Sequence, residues 1–317
     1  MASITRAHIG TLSTITSFFR SPIKLRVRIM MGYPIRADGE LAAPAGRSSL
    51  AYRHSVIVRL THWTGVVCVI ILLTSGLQIF NAHPALYLGR ASDFAHPVMA
   101  IGAAREGDHE LGVTMIFGRS FNTTGILGLS GASNRDQHAF PAWSVLPSHQ
   151  DLATGRRWHF FFAWLLVFDG LIYLIYSLAL GHLWGDLVPS VRQVRRIGTS
   201  ILDHLRLRFP RGAEAKQYNV LQRLSYLAIV FVIFPLLILT GVTMSPGLDA
   251  AFPFLTAVFG GRQSARSIHF ACAFLLLGFV VVHVTMVLLS GPWNNMRSMI
   301  TGWYKIRPEV IPNGGSH

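Results

Sequence analysis

Charge is scarce in this chain. Asp, Glu, Lys and Arg make up 13% of its 317 residues, about half the share of roughly 25% found in soluble domains. Acids are the scarcer sign, 14 against 28 Lys and Arg, and none precedes Asp38. A soluble globular domain of this length is excluded. Cysteine is almost missing: Cys68 and Cys272 are the only two, and neither belongs to a Cys-x-x-Cys or Cys-x-x-Cys-His pattern. That excludes iron–sulfur clusters and covalently attached haem. Both cysteines read as small apolar residues inside helices. A Gly-rich phosphate loop, a hydrolase motif and an internal repeat of solenoid or transporter type are also missing.

What the chain has instead is apolar sequence, 51% by composition. It is concentrated in four runs, 56–80, 158–180, 224–244 and 268–290, each long enough to cross about 30 Å of hydrocarbon. The expected fold is all-α: an integral membrane four-helix bundle over 51–307, with a basic, disordered tail at 1–50 and a short tail at 308–317. The formal charge of +14 invites a nucleic-acid reading, but its distribution answers to topology. Basic residues crowd before span one, in the loop 182–222 (Arg192, Arg195, Arg196, Arg206, Arg208, Arg211) and after span four (Arg297, Lys305, Arg307). In the other two loops Asp93, Glu106, Asp108, Glu110, Asp136, Asp151 and Asp249 nearly cancel them. The positive-inside rule then puts both termini and the loop 182–222 in the cytoplasm.

The segment 81–157 reads as a long external loop with short apolar pieces at 112–117 and 126–129. His83, His96, His109, His138 and His149 lie in it without zinc-ligand spacing, and read as ordinary surface or structural histidines. Gly65 and Gly76 give span one a small-residue face for close approach. Asp169 lies mid-span, where an acid is either functional or satisfied by a neighbour such as Tyr173. Pro235 should kink span three. Residues 292–304 read as an interfacial helix with Trp and Tyr anchors.

Four histidines lie within the spans. His269 and His283 sit fourteen residues apart on span four, a rise of about 21 Å in nearly four whole turns, so both face the same way. With the N-terminus inside, His62 in span one and His283 lie at cytoplasmic depth, while His159 in span two and His269 lie at external depth. The four sort into two pairs with none left over. Two neutral imidazoles fill both axial positions of a haem iron, whereas two histidines without thiolate or carboxylate leave a zinc site incomplete. The expected cofactors are therefore two b haems, one held by His62–His283 and one by His159–His269, stacked as an electron wire across the bilayer.

The sequence resembles the four-helix di-haem cytochrome b subunits of bacterial formate dehydrogenase, nickel–iron hydrogenase and thiosulfate reductase, most of all the thiosulfate-reductase type. The carriers are Val58-Arg-Leu-Thr-His62-Trp, Arg156-Arg-Trp-His159-Phe, Tyr218-Asn-Val-Leu-Gln222-Arg, the His269/His283 pair and Pro292-Trp-Asn-Asn-Met-Arg. The resemblance implies the same two histidine pairings. It also implies a bacterial inner-membrane location, quinone as redox partner beside one haem, and a molybdopterin oxidoreductase subunit that performs the substrate chemistry. Arg59, Asn219 and Gln222 on the cytoplasmic side are the quinone candidates. The expected function is electron transfer between quinone and that partner. A self-sufficient superoxide or ferric reductase, or a proton or metal transporter, are the rival readings.

Overall fold

The computed structural model describes residues 49–130, 137–179 and 220–306. The chain divides into two units, 1–51 with 305–317, and 52–304. Of the first, only 49–51 and 305–306 are described, both as extended strand.

The second unit holds four helices long and apolar enough to cross a membrane: α1 (Val56–Asn81), α2 (Leu152–Ala179), α3 (Gln222–Met244) and, after two short helices, α6 (Arg262–Leu289). Their outward faces carry large exposed apolar side chains, among them Phe161, Phe168 and Ile175 on α2 and Leu275, Val282 and Leu288 on α6. In water such faces would be a liability; in a bilayer they are the solvated surface. The chain is a mostly helical, multi-pass membrane protein.

Inward faces are built from small and polar residues. Along α1 the buried positions include Thr61, Cys68 and Ser75, seven residues apart, and then Gln78. This stripe lets α2 pack closely, because lipid offers no hydrophobic drive and tight backbone approach takes its place. α1 packs mainly on α2, and α6 on α3. Ser55 caps α1 by accepting from Val58 N at 3.3 Å. Where Pro235 is expected to kink α3, the helix has a π-helical turn, Ile229–Ile233, ahead of Phe234–Met244. Pro235 lacks an N–H and its ring crowds the preceding turn, so the ladder opens there. Between α3 and α6 the short helices α4 (Pro246–Ala251) and α5 (Pro253–Val258) each begin on a proline. After α6 comes α7 (Pro292–Thr301), the expected interfacial helix.

The external segment differs from the expected loop. It folds into a four-stranded antiparallel sheet, β1 (Ala85–Leu86), β2 (Met99–Glu106), β3 (His109–Ile116) and β4 (Arg119–Asn122), in simple sequence order. Two tight hairpins make it. Glu106 pairs with His109 and Ile116 with Arg119, which leaves Gly107-Asp108 and Phe117-Gly118 as two-residue turns. Gly107 has φ +61°, while Phe117 and Gly118 have φ +49° and +75°, the left-handed conformations such hairpins demand. The apolar piece 112–117 is thus a strand. Leu127, from the second piece, packs with Leu77, Phe80, Leu86, Ile101, Phe140 and Val145 in one core at the external end of α1.

Candidate functional site

Two histidine pairs lie inside the bundle. His62 of α1 and His283 of α6 have ring centroids 6.4 Å apart with planes inclined by 55°. His159 of α2 and His269 of α6 are 6.2 Å apart and inclined by 58°. The structure therefore brings together the same partners that depth pairing expects. Thirteen residues of α1 separate His62 from Ser75, which touches the external pair, so the two pairs stand about 20 Å apart along the helix axis.

The separations test the fit of an iron between the rings. A metal–imidazole bond is about 2.0–2.1 Å, and the ring centre lies about 1.1 Å beyond the bonded nitrogen. Two rings on opposite sides of one metal should then have centroids about 6.2–6.4 Å apart. Both pairs meet that spacing. Packed aromatic rings also have centroids about 4.5–7 Å apart, so the spacing has room for an iron but is not peculiar to one. A hydrogen bond between imidazoles would set one nitrogen about 3 Å from the other, and no such bond joins either pair.

The surroundings of the external pair are specific. His159 Nδ1 lies 3.1 Å from Ser75 Oγ. His269 Nδ1 lies 3.0 Å from Thr240 Oγ1. Each ring rests beside the glycine that follows its hydroxyl residue: a Cβ on Gly76 would stand 3.3 Å from His159 Cε1, and one on Gly241 3.6 Å from His269 Cε1. A ligand imidazole ordinarily gives its second N–H to such an acceptor. Sequence reasoning noted Gly76 but missed the role of Ser75 and Thr240, which shows only when α1 and α3 are placed against α2 and α6.

The external end of α6 is anchored where His269 begins its course. Ser264 Oγ accepts from Gly89 N at 2.8 Å, Ser267 Oγ donates to Tyr87 O at 2.7 Å, and the Arg266 guanidinium donates to His83 O. Asn81 bonds both ways with the Phe140 backbone, at 3.0 and 2.8 Å. Residues 83–89, around the first strand, thus fix the end of α6 that presents His269, and Phe140 fixes the end of α1.

The His62–His283 pair is packed differently. Trp63 stands edge-on to His62 at 5.4 Å, and Phe279 and Tyr226 flank His283 at 5.8 and 6.2 Å. His62 Nδ1 is buried with no hydrogen-bond partner among the described residues.

Of the quinone candidates, Arg59 donates to Ile300 O while its Nε is buried without a partner among the described residues. Trp63 Nε1 donates to Met299 O at 3.1 Å. With Val56, Leu60, Met299 and Ile300 these two line a cleft of about 210 Å³ between α1 and α7, one turn from His62. Gln222 is half-buried at the start of α3; Asn219 lies outside the described residues. The carboxylate of Asp169 lies against Gly65, 3.6 Å from where a Cβ would stand. The external histidines are dispersed: His96 pairs with Asp93 at 3.0 Å, Gln150 bonds His138 at 2.8 Å, His83 stacks on Tyr87 at 5.7 Å, and His109 and His149 are exposed.

Residues 53–302 match the family model described as prokaryotic cytochrome b561. A protein of Azospira oryzae described as "Putative protein-methionine-sulfoxide reductase subunit YedZ1" is 30% identical over 237 residues, covering 74% of this chain and 90% of that protein. No solved structure matches the chain. The family match is broader than the thiosulfate-reductase-type resemblance, and it spans all four membrane helices. The chain belongs to the prokaryotic cytochrome b561 family, whose members are haem-b-binding electron-transfer proteins of the membrane.

Proposed function

We propose that the chain is the electron-transfer subunit of an oxidoreductase complex, holding one haem b between His62 and His283 and a second between His159 and His269. The observation that carries this is the pair of ring separations, 6.4 and 6.2 Å, which suit an iron between two imidazoles. Held by these histidines, haem b would supply a one-electron iron couple suited to electron transfer. The chain's own residues supply the rest. The helices hold each imidazole at a fixed depth, the apolar bundle keeps water from the redox centres, and α6 carries one ligand of each pair.

Quinone is the cytoplasmic redox partner in this reading, with the cleft at Arg59 and Trp63 beside His62 as its place of exchange. The partner subunit lies outside the bacterial inner membrane, with both termini of this chain in the cytoplasm. The resemblance supports a molybdopterin oxidoreductase of the thiosulfate-reductase kind as that subunit. The Azospira relative's description supports one that reduces methionine sulfoxide in proteins. An electron moving outward through the full membrane field is favoured by about 2.3 kcal/mol per 100 mV when the inside is negative.

The test is a dithionite-reduced minus oxidised spectrum of the purified chain with pyridine-haemochrome stoichiometry. Two b haems per chain are expected, one after His283→Ala. A colourless, folded protein from haem-replete cells overturns the proposal, and retention of both haems in His283→Ala overturns the ligand assignment. Pull-down of the tagged chain from its native membranes is expected to bring an external reductase with it.

A further inference from the structure

The external histidines are served by a repeated piece of sequence. Ile71-Leu72-Leu-Thr-Ser75-Gly76 on α1 and Leu236-Leu237-Ile-Leu-Thr240-Gly241 on α3 share the pattern of a Leu three residues before a hydroxyl residue and a Gly directly after it. Both hydroxyl residues are fully buried. Their geometry is the same at every point. Ser75 Oγ lies 2.6 Å from Ile71 O and Thr240 Oγ1 lies 2.5 Å from Leu236 O. A carbonyl oxygen only accepts, so each hydroxyl proton is committed to the carbonyl one turn back. Each hydroxyl oxygen then meets its histidine as an acceptor, and the histidine Nδ1, at 3.1 or 3.0 Å, must bring the proton. The second, longer contact of each hydroxyl, to Leu72 O at 3.4 Å and to Leu237 O at 3.3 Å, is also to a carbonyl and leaves the assignment unchanged.

We infer that Ser75 and Thr240 are positioning residues that lock His159 and His269 in the Nδ1–H tautomer, leaving Nε2 bare as the iron-binding atom and giving the external haem a lower midpoint potential than the cytoplasmic one. This rests on the reading of His159 and His269 as axial ligands. A hydrogen bond accepted from a ligand's distal N–H makes that ligand a stronger electron donor and favours the oxidised iron. The external pair has this on both rings. His62, in the other pair, has no such acceptor among the described residues. At Gly76 a Cβ would crowd the His159 ring at 3.3 Å, so the glycine there gives the ring room for the bond, whereas the space at Gly241 would admit a methyl at 3.6 Å.

The experiment is a redox titration of the full-length protein with both haems, followed optically and by electron paramagnetic resonance, on Ser75→Ala, Thr240→Val and the double variant. The expected result is an upward shift of the external haem's midpoint and a moved low-spin signal for that haem. The cytoplasmic haem stays unchanged, the double variant shifts further than either single one, and Ser75→Thr and Thr240→Ser retain wild-type values. Unshifted midpoints, or equal shifts of both haems, overturn the inference. Should the alanine and valine variants lose the external haem, the two hydroxyl-retaining variants must keep it, and their failure also overturns it. Nitrogen-15 magnetic resonance of the histidine-labelled, haem-free full chain reads the tautomer separately: Nε2-protonated His159 and His269 overturn the inference even if haem binding stands. A wild-type protein without haem but with Nδ1-protonated rings sinks the ligand reading while the lock itself survives.

Discussion

A side chain placed on Gly76 or Gly241 should separate the two haems in a graded way. An added methyl on Gly76 would meet His159 Cε1 at 3.3 Å, whereas on Gly241 it would meet His269 Cε1 at 3.6 Å. Carbon–carbon contacts are comfortable at about 3.5–4.0 Å. Gly241→Ala therefore introduces no clash, and alanine's better helix propensity, worth about 1 kcal/mol over glycine, acts in favour of the fold. Gly76→Ala must move the His159 ring by a few tenths of an ångström, which the same propensity gain offsets in stability but not in ligand geometry. Leucine at either site overfills the space beside the ring. Overpacking of that kind costs about 1–3 kcal/mol, and if the cost falls on the haem-bound state it weakens haem binding roughly 5- to 150-fold. The measurement is haem per chain by pyridine haemochrome, with midpoint potentials, in the two alanine and two leucine variants. The expected order is two haems and wild-type potentials in Gly241→Ala, two haems with a shifted external midpoint in Gly76→Ala, and one haem in each leucine variant. The retained haem should be the one at His62 and His283. Two full haems in Gly76→Leu, or loss of the cytoplasmic one instead, would refute the placement of His159 against α1 as a ligand site.

Other outcomes follow from the same geometry. His62→Ala should remove the same haem as His283→Ala and leave the other spectrally intact, which paired spectra of the two variants will check. Burial foremost, and then the Arg266 guanidinium, hold the His83 pKa below its ordinary 6.5. The unfolded chain takes up that proton first, so stability is lost as pH falls below about 6.5 and is unaffected above it. His83→Gln should lessen the acid sensitivity of the external segment, read by limited proteolysis between pH 7 and pH 5. Phe117 holds φ +49° with its ring 79% exposed, a conformation costing a side chain of this kind about 1–2 kcal/mol. Phe117→Asn should therefore slow hydrogen exchange in the β3–β4 hairpin.

The spans and the histidine pairs were legible because each rests on a single coordinate, depth along the membrane normal. Hydropathy fixes where a helix enters, basic flanks fix which end is inside, and counting residues then gives each histidine its level. That arithmetic puts His62 with His283 and His159 with His269. The helices extend beyond the apolar runs at their external ends, α2 starting at Leu152 and α6 at Arg262, because contacts with the external segment, not hydrophobicity, hold those turns. The sheet was less visible. Its hairpins are signalled by Gly107-Asp108 and Phe117-Gly118, but the second puts a phenylalanine where Asn, Asp or Gly is the usual sign. The strands between them are short and, in β2, mostly exposed, so alternation is weak.

The hydroxyl cradle was unreadable for a different reason. Ser, Thr and Gly are common in membrane helices, where they serve close packing, so Ser75-Gly76 or Thr240-Gly241 alone carries little information. Their meaning lies in a comparison across two helices, each set against a different histidine-bearing neighbour. α1 packs on α2 and α3 on α6, and in each pair the first helix presents hydroxyl and glycine while the second presents the ring. The external site is thus assembled from two equivalent helix pairs meeting face to face. The other site departs from the scheme: His62 comes from α1, the helix that elsewhere presents the hydroxyl, and no hydroxyl meets its Nδ1 among the described residues. Two chemically alike pairs of histidines are in this way given unlike surroundings. Under the proposed assignment that difference would set the two haems at unequal potentials, where two equal centres would leave the direction of electron flow to the membrane field alone.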